Sequence, residues 1–180
     1  MIIGDPYKFA ILFQRIDAWN ASLTDNNGAF ALCIDGKLFP KFPNDIINTI
    51  IPRSVYDIKD SLENIPVNEE IFDMNKKEAF ATLYELVYPE FDDEKSDEEN
   101  KDNDFRYELS VEYLNDHGGL YFAVKKDEKM RMLAANVDYN YEESNYILDD
   151  SATITEIILE KEEIDEIINK LEDWLKKYGD

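Results

Sequence analysis

Few residues in this chain could do chemistry, and none of them is spaced for it. His117 is the only histidine, and it sits beside Gly118-Gly119, the composition of a tight turn, with no serine or cysteine placed to use it as a base. Cys33, the only cysteine, lies among Ala31, Leu32 and Ile34, the setting of a small buried hydrophobe rather than of a reactive thiol. Carboxylate pairs such as Asp92-Asp93 and Asp149-Asp150 have the groups for acid/base or metal chemistry, but a chain with 41 Asp and Glu produces such pairs by composition alone. The run from Asp97 to Asp104 lacks the glycine that a calcium loop places at its turn. No glycine-rich phosphate loop or nucleophile elbow is present, since Gly4, Gly28, Gly36, Gly118, Gly119 and Gly179 all fall at turns or termini. The residues therefore predict no catalytic site, no cofactor and no metal.

Charge is the stronger signal. Against the 41 acids stand 19 Lys and Arg, a formal net charge of −22. A field of that sign repels nucleic acid and anionic membrane, and it accelerates encounter with a basic protein. Two segments concentrate it. Residues 90–104 hold nine acids, among them Asp92, Asp93, Glu94, Asp97, Glu98 and Glu99, against two lysines, and they read as a solvated acidic loop or insert. In the second segment, Tyr139, Tyr141, Glu142, Glu143, Tyr146, Asp149 and Asp150 mix large rigid contact groups with acids that would select a basic counterpart. This segment is the first candidate for a partner-binding surface and the acidic insert is the second.

These segments need a frame to position them. With 180 residues, 44% hydrophobic and 13% aromatic, the chain can bury about 70% of its unfolded surface in one core. A single domain over 1–180 is expected. The N-terminus lacks the basic start of a secretory signal, no stretch has the length of a membrane span, and a lone cysteine suits a reducing cytoplasm.

Phe9 to Phe13 reads as a buried strand, and Ala29 to Ile34 joined through Asp35-Gly36 to Lys37-Leu38-Phe39 reads as a hairpin. Ile46 to Ile51 could add an edge strand, with Ser54 as N-cap of a helix over Val55 to Leu62. Asn75 and Glu78 have capping-box spacing for a helix with Phe80, Leu83, Tyr84 and Val87 on one face, stopped by Pro89. Alternation from Tyr107 to Tyr113, then Leu120 to Val124, then Met130 to Val137 predicts a three-stranded antiparallel meander. Thr153 to Leu159 reads as one more strand. A closing amphipathic helix carries Ile164, Ile167, Ile168, Leu171, Trp174, Leu175 and Tyr178 and stops at Gly179. The class is α+β: an antiparallel sheet, built from the N-terminal hairpin and the central meander, packed by the C-terminal helix.

Residues 1 to 11 (Met-Ile-Ile-Gly-Asp-Pro-Tyr-Lys-Phe-Ala-Ile), Asn27-Gly28-Ala29-Phe30 and the Ile34-Asp35-Gly36-Lys37-Leu38-Phe39-Pro40 turn resemble immunity protein family 42 of bacterial polymorphic toxin systems. The resemblance implies a cytoplasmic, non-enzymatic antidote that binds the C-terminal toxin domain of a polymorphic toxin or contact-dependent inhibition system. It supplies no residue-by-residue binding motif. The charge agrees from a separate direction, because a nuclease-type toxin must be basic to hold phosphate backbones and an acidic partner can cover it. The alternative is an acidic nucleic-acid mimic or adaptor occupying a DNA-binding protein, which would require carboxylates spaced like phosphates on one rigid face.

Overall fold

The computed structural model describes residues 1–22, 25–40, 48–90, 96, 100–109, 111, 114, 118–140, 145–147 and 153–179, with the backbone alone at 48, 138–140 and 145–147. Among the described residues, a five-stranded and a three-stranded antiparallel sheet, a two-stranded ribbon and four α-helices make up the α+β fold. The first sheet contains β1 (Ile2–Gly4), β2 (Phe9–Arg15), β3 (Asn27–Ile34), β4 (Lys37–Phe39) and β5 (Asn48–Ile50). Its order is β1-β2-β3-β4, and β5 pairs with the first half of β3 while β4 pairs with the second. The predicted hairpin turn is there: Asp35 and Gly36 both have positive φ, 52° and 71°, as a two-residue type I′ connection requires.

The expected edge strand ends at Ile50, where helix α1 (Ile51–Asn64) begins. Ser54 was expected to cap this helix, but the helix starts three residues earlier. Pro52 suits a first turn because its missing N–H is not needed there, and Ser54 is buried inside the helix with its hydroxyl bonded to that of Thr49. Two helices follow, α2 (Glu69–Asp73) and α3 (Lys76–Val87). The Asn75 side chain accepts from the N–H groups of Lys77 and Glu78, and Phe80, Leu83 and Val87 are buried.

The second sheet, in order β10-β7-β6, consists of β6 (Gly119–Lys126), β7 (Lys129–Asn136) and β10 (Thr155–Glu160). The meander predicted here has a different third member. Residues 105–107 form a 3-10 turn, Glu108 makes one isolated bridge to Phe122, and the N–H of Leu109 donates to the Tyr121 carbonyl. β10 takes the place beside β7 that completes the sheet. The alternation that looked like a strand comes from a short segment laid along the edge of β6, with Tyr107, Leu109 and Val111 pointing into the core. At the other end of the same edge, Lys125 exchanges backbone hydrogen bonds with Pro66 and Asn68, so two chain segments blunt an edge that could otherwise pair with another protein.

Both faces of this second sheet are buried. Tyr121, Ala123, Met130, Met132, Ala134 and Leu159 face the first sheet, α1 and helix α4 (Lys161–Tyr178). Leu120, Phe122, Val124, Leu133, Ala135 and Val137 face α2 and α3. Two-sided burial explains why 120–124 and 132–135 are unbroken apolar runs rather than alternating ones. Helix α4 starts directly from β10 through a capping box formed by Glu160 and Glu163, with acids in its first turn and Lys176 and Lys177 in its last, as the helix dipole favours. Ile164, Ile167 and Leu171 are buried, and Trp174 packs edge-on against Phe13 at 5.0 Å between ring centroids. Tyr178, expected on the same stripe, is exposed where the helix runs past the core.

Candidate functional site

The acidic insert leaves and returns through one neck. Pro89 cannot donate a backbone hydrogen bond, so the last carbonyls of α3 need donors from elsewhere. Asn103 Nδ2 donates to the Val87 carbonyl at 2.7 Å and the N–H of Asp104 donates to the Leu86 carbonyl at 2.8 Å. Tyr88 closes the neck: its ring lies edge-on to Phe105 and its hydroxyl donates to the carboxylate of Glu108. Asp104 is paired with Arg106 at 2.7 Å, and this bond holds its carboxyl below the usual carboxylate range. Of the insert residues proposed to bind a partner, Asp92, Asp93, Glu94, Asp97, Glu98 and Glu99 lie outside the described residues.

Glu108, which alternates with Tyr107 and Leu109 in the sequence, is buried as they are, and burial pushes its carboxyl up to about 7, with the Tyr88 hydroxyl bond opposing that rise only in part. Its position in the alternation hid this, because the segment pairs along β6 with both its odd and even residues covered.

The second candidate segment forms a ribbon. β8 (Asp138–Asn140) pairs with β9 (Asn145–Ile147) in the register Asp138↔Ile147, Tyr139↔Tyr146 and Asn140↔Asn145. Tyr139 and Tyr146 are therefore brought opposite one another. Tyr141, Glu142, Glu143, Asp149 and Asp150 lie outside the described residues, as does His117. The ribbon's root is firm. Val137 is buried against the α2–α3 face, and its N–H donates to the Gly118 carbonyl at 2.7 Å. Gly118 has φ +76°, and a Cβ there would stand 2.3 Å from the Val137 carbonyl oxygen, so only glycine fits.

One polar cluster sits in the interior. Arg131 is 4% exposed; it pairs with Glu156 at 2.5 Å and donates to the carbonyls of Ile71, Phe72 and Met74. Those carbonyls end α2, so a single guanidinium joins β7, β10 and the α2–α3 connection. Nothing in the sequence around Arg131 marks it as buried.

The described residues contain little that could host chemistry. No group of three or more His, Cys, Asp or Glu among them could hold a metal ion. Cys33 is buried, its Sγ is 3.2 Å from the Pro6 carbonyl, and burial pushes its thiol up, which leaves it a poor nucleophile. A cleft of about 330 Å³ between α1, the β6–β7 turn and α4 is lined by Ile164 and Ile168 with Lys125, Lys129 and Lys161. Its lysines are engaged: Lys125 donates to the Leu62 and Glu63 carbonyls at the end of α1, Lys129 pairs with Glu160, and Lys161 pairs with Glu128. No helix among the described residues is long and apolar enough to cross a membrane.

No curated protein matches the chain. Among solved structures, the crystal structure of CdiI from Burkholderia dolosa AUO158 superimposes with a TM-score of 0.70 at 20% sequence identity, over 96% of this chain and 99% of that one. At that identity the likeness is one of fold, and it extends across both sheets and the helices. The model of the family described as immunity protein 42 matches residues 1–174, and the chain belongs to that family.

Proposed function

We propose that this immunity protein neutralises a cognate, basic, nuclease-type toxin domain in the cytoplasm by stoichiometric binding and without catalysis, using the acidic segments of its α2–α3 side as the contact surface. The observation that carries the reading is where the charge lies within a family of immunity proteins. Residues 90–104 have nine acids and two bases, and residues 138–150 have five acids and no base. Their combined net charge is −12, more than half of the total of −22, in 28 of 180 residues. Carboxylates grouped this way along a sequence steer a cationic partner into encounter and reject anionic ones. Tyrosines beside them supply the apolar anchor area on which interface energy concentrates.

The test is titration of the purified protein against the toxin domain encoded beside it, at low and high salt, together with survival of cells that express that domain. Stoichiometric binding, rescue and an association rate that falls at least tenfold as salt is raised are expected. Absence of binding and rescue would refute the reading.

A further inference from the structure

We infer that the aromatic surface at the neck, Phe105 with Tyr88 and Tyr84, is an anchor site of the complex and takes an arginine or lysine side chain of the toxin on the Phe105 ring. This inference rests on the toxin-binding reading above and names a contact within it. Phe105 is 54% exposed, the only phenylalanine among the described residues that is more than half exposed. The turn that presents it is pinned on both sides. The Asp104 N–H donates to the Leu86 carbonyl, the Asp104 side chain accepts from the Arg106 N–H, and the Glu108 N–H donates to the Phe105 carbonyl at 3.1 Å. Tyr107, two residues on, is buried, and its hydroxyl meets Asn68 Nδ2 at 3.3 Å.

A row of rings connects this surface to the interior. Phe80 packs on Phe122 at 5.2 Å between centroids, Phe122 on Tyr88 at 6.5 Å, and Tyr88 on both Tyr84 at 5.5 Å and Phe105 at 6.3 Å. Phe80 and Phe122 are buried, Tyr84 and Tyr88 are half-buried, and the Tyr88 hydroxyl is held by the Glu108 carboxylate. The surface is thus formed before any partner arrives, so little ordering entropy is lost when one docks. Large rings set in a fixed frame are the groups on which interface energy concentrates. The neighbouring charges select the occupant. Glu85, Glu90 and Asp102 are exposed and Asp104 is half-buried; the bases of the neck are Lys101 and Arg106, and Arg106 is already paired with Asp104 at 2.7 Å. An aromatic face bordered by carboxylates attracts a cation over the ring and disfavours an anion.

The experiment uses the full chain and the purified toxin domain encoded beside it. In radical footprinting of the unsubstituted protein, oxidation of Phe105 and Tyr88 should fall about fivefold or more in the complex, as at a desolvated anchor. Phe105→Ala should keep the unfolding midpoint of the free protein and raise the dissociation constant roughly thirtyfold or more. Phe105→Leu retains apolar area without a π face and should still weaken binding about fivefold or more. Unchanged oxidation of Phe105 in the complex, or an affinity unaffected by Phe105→Ala, overturns the anchor and leaves the toxin-binding reading standing. Full affinity in Phe105→Leu also overturns it, because an apolar contact would then serve in place of a cation on the ring. Failure to form any complex overturns both.

Discussion

The two faces of the central β10-β7-β6 sheet are built on different terms. The face toward the first sheet closes on an apolar cluster shared by the first strands of the chain and its last helix, with Phe13 against Trp174 and Lys8 ion-paired to Glu163. The face toward α2 and α3 has its own smaller apolar cluster, but it also contains Arg131 in its interior, Glu108 at its rim, the neck of the acidic insert and the root of the β8–β9 ribbon. Its cover is incomplete, since Ile158, opposite Arg131 on β10, remains half exposed. One face stores stability in close packing; the other depends on a few polar ties and holds the segments that are proposed to meet a partner. This division suits a binding protein, because elements that must adjust on docking are drawn from the less stable parts of a fold.

The largest effect should come from cutting the main polar tie. Arg131→Ala leaves Glu156 and three carbonyls without their common donor and should cost about 3–5 kcal/mol in chemical denaturation. On the opposite face, Leu171→Ala should cost a similar 2–5 kcal/mol by leaving a cavity. The comparison is sharpened by where the loss shows: exchange and proteolysis should rise selectively across α2, α3 and the insert for Arg131→Ala, and across the whole molecule for Leu171→Ala. A global response to both would erase the distinction between the faces.

Next in size is the pH response of Glu108. Its folded pKa of about 7 stands above the ordinary value of 4.5, so the folded state holds this proton more tightly than the unfolded state. The associated stability is complete below pH 4.5, declines as pH rises toward 7, and is gone above it; a shift of this size corresponds to about 3 kcal/mol. Glu108→Gln, which can still accept from Tyr88, should flatten that decline and be more stable than the parent protein at pH 8. Equal pH slopes in the two proteins would show that Glu108 does not titrate in this range.

Smaller still, Asn103→Ala removes one helix-terminal hydrogen bond and should cost about 1 kcal/mol while increasing protease cleavage near the neck. The smallest stability effect belongs to the insert itself. Replacing residues 90–102 by a short neutral linker should change unfolding free energy by less than about 0.5 kcal/mol, because its ends already meet and surface loops are tolerant. The same replacement should flatten the salt dependence of toxin association. A loss of several kcal/mol would mean that the insert belongs to the fold.

Much of this architecture is legible from local pattern. The Asp35-Gly36 hairpin, the Asn75 cap, the stop at Pro89, the Met130–Val137 strand and the stripe of the last helix each follow from turn chemistry or periodicity that acts within a few residues. The charge also motivates the basic partner proposed above, and the opening residues announce the family. Period alone puts 107–113 in the sheet, yet at Glu108 the segment makes only an isolated bridge to the β6 edge, and the strand that completes the sheet, β10, joins on the opposite side, beside β7.

The sequence by itself thus determines the elements, the acidic character, the lack of catalytic spacing and the immunity family, because these rest on residue type and short-range order. Only the tertiary structure decides that one sheet is buried on both faces, that Arg131 ties three elements together, that Glu108 is dehydrated, and that the insert and ribbon are rooted on the same side. Those features arise from contacts between residues far apart in the chain, where burial and hydrogen-bond geometry set the energy and no local pattern records them.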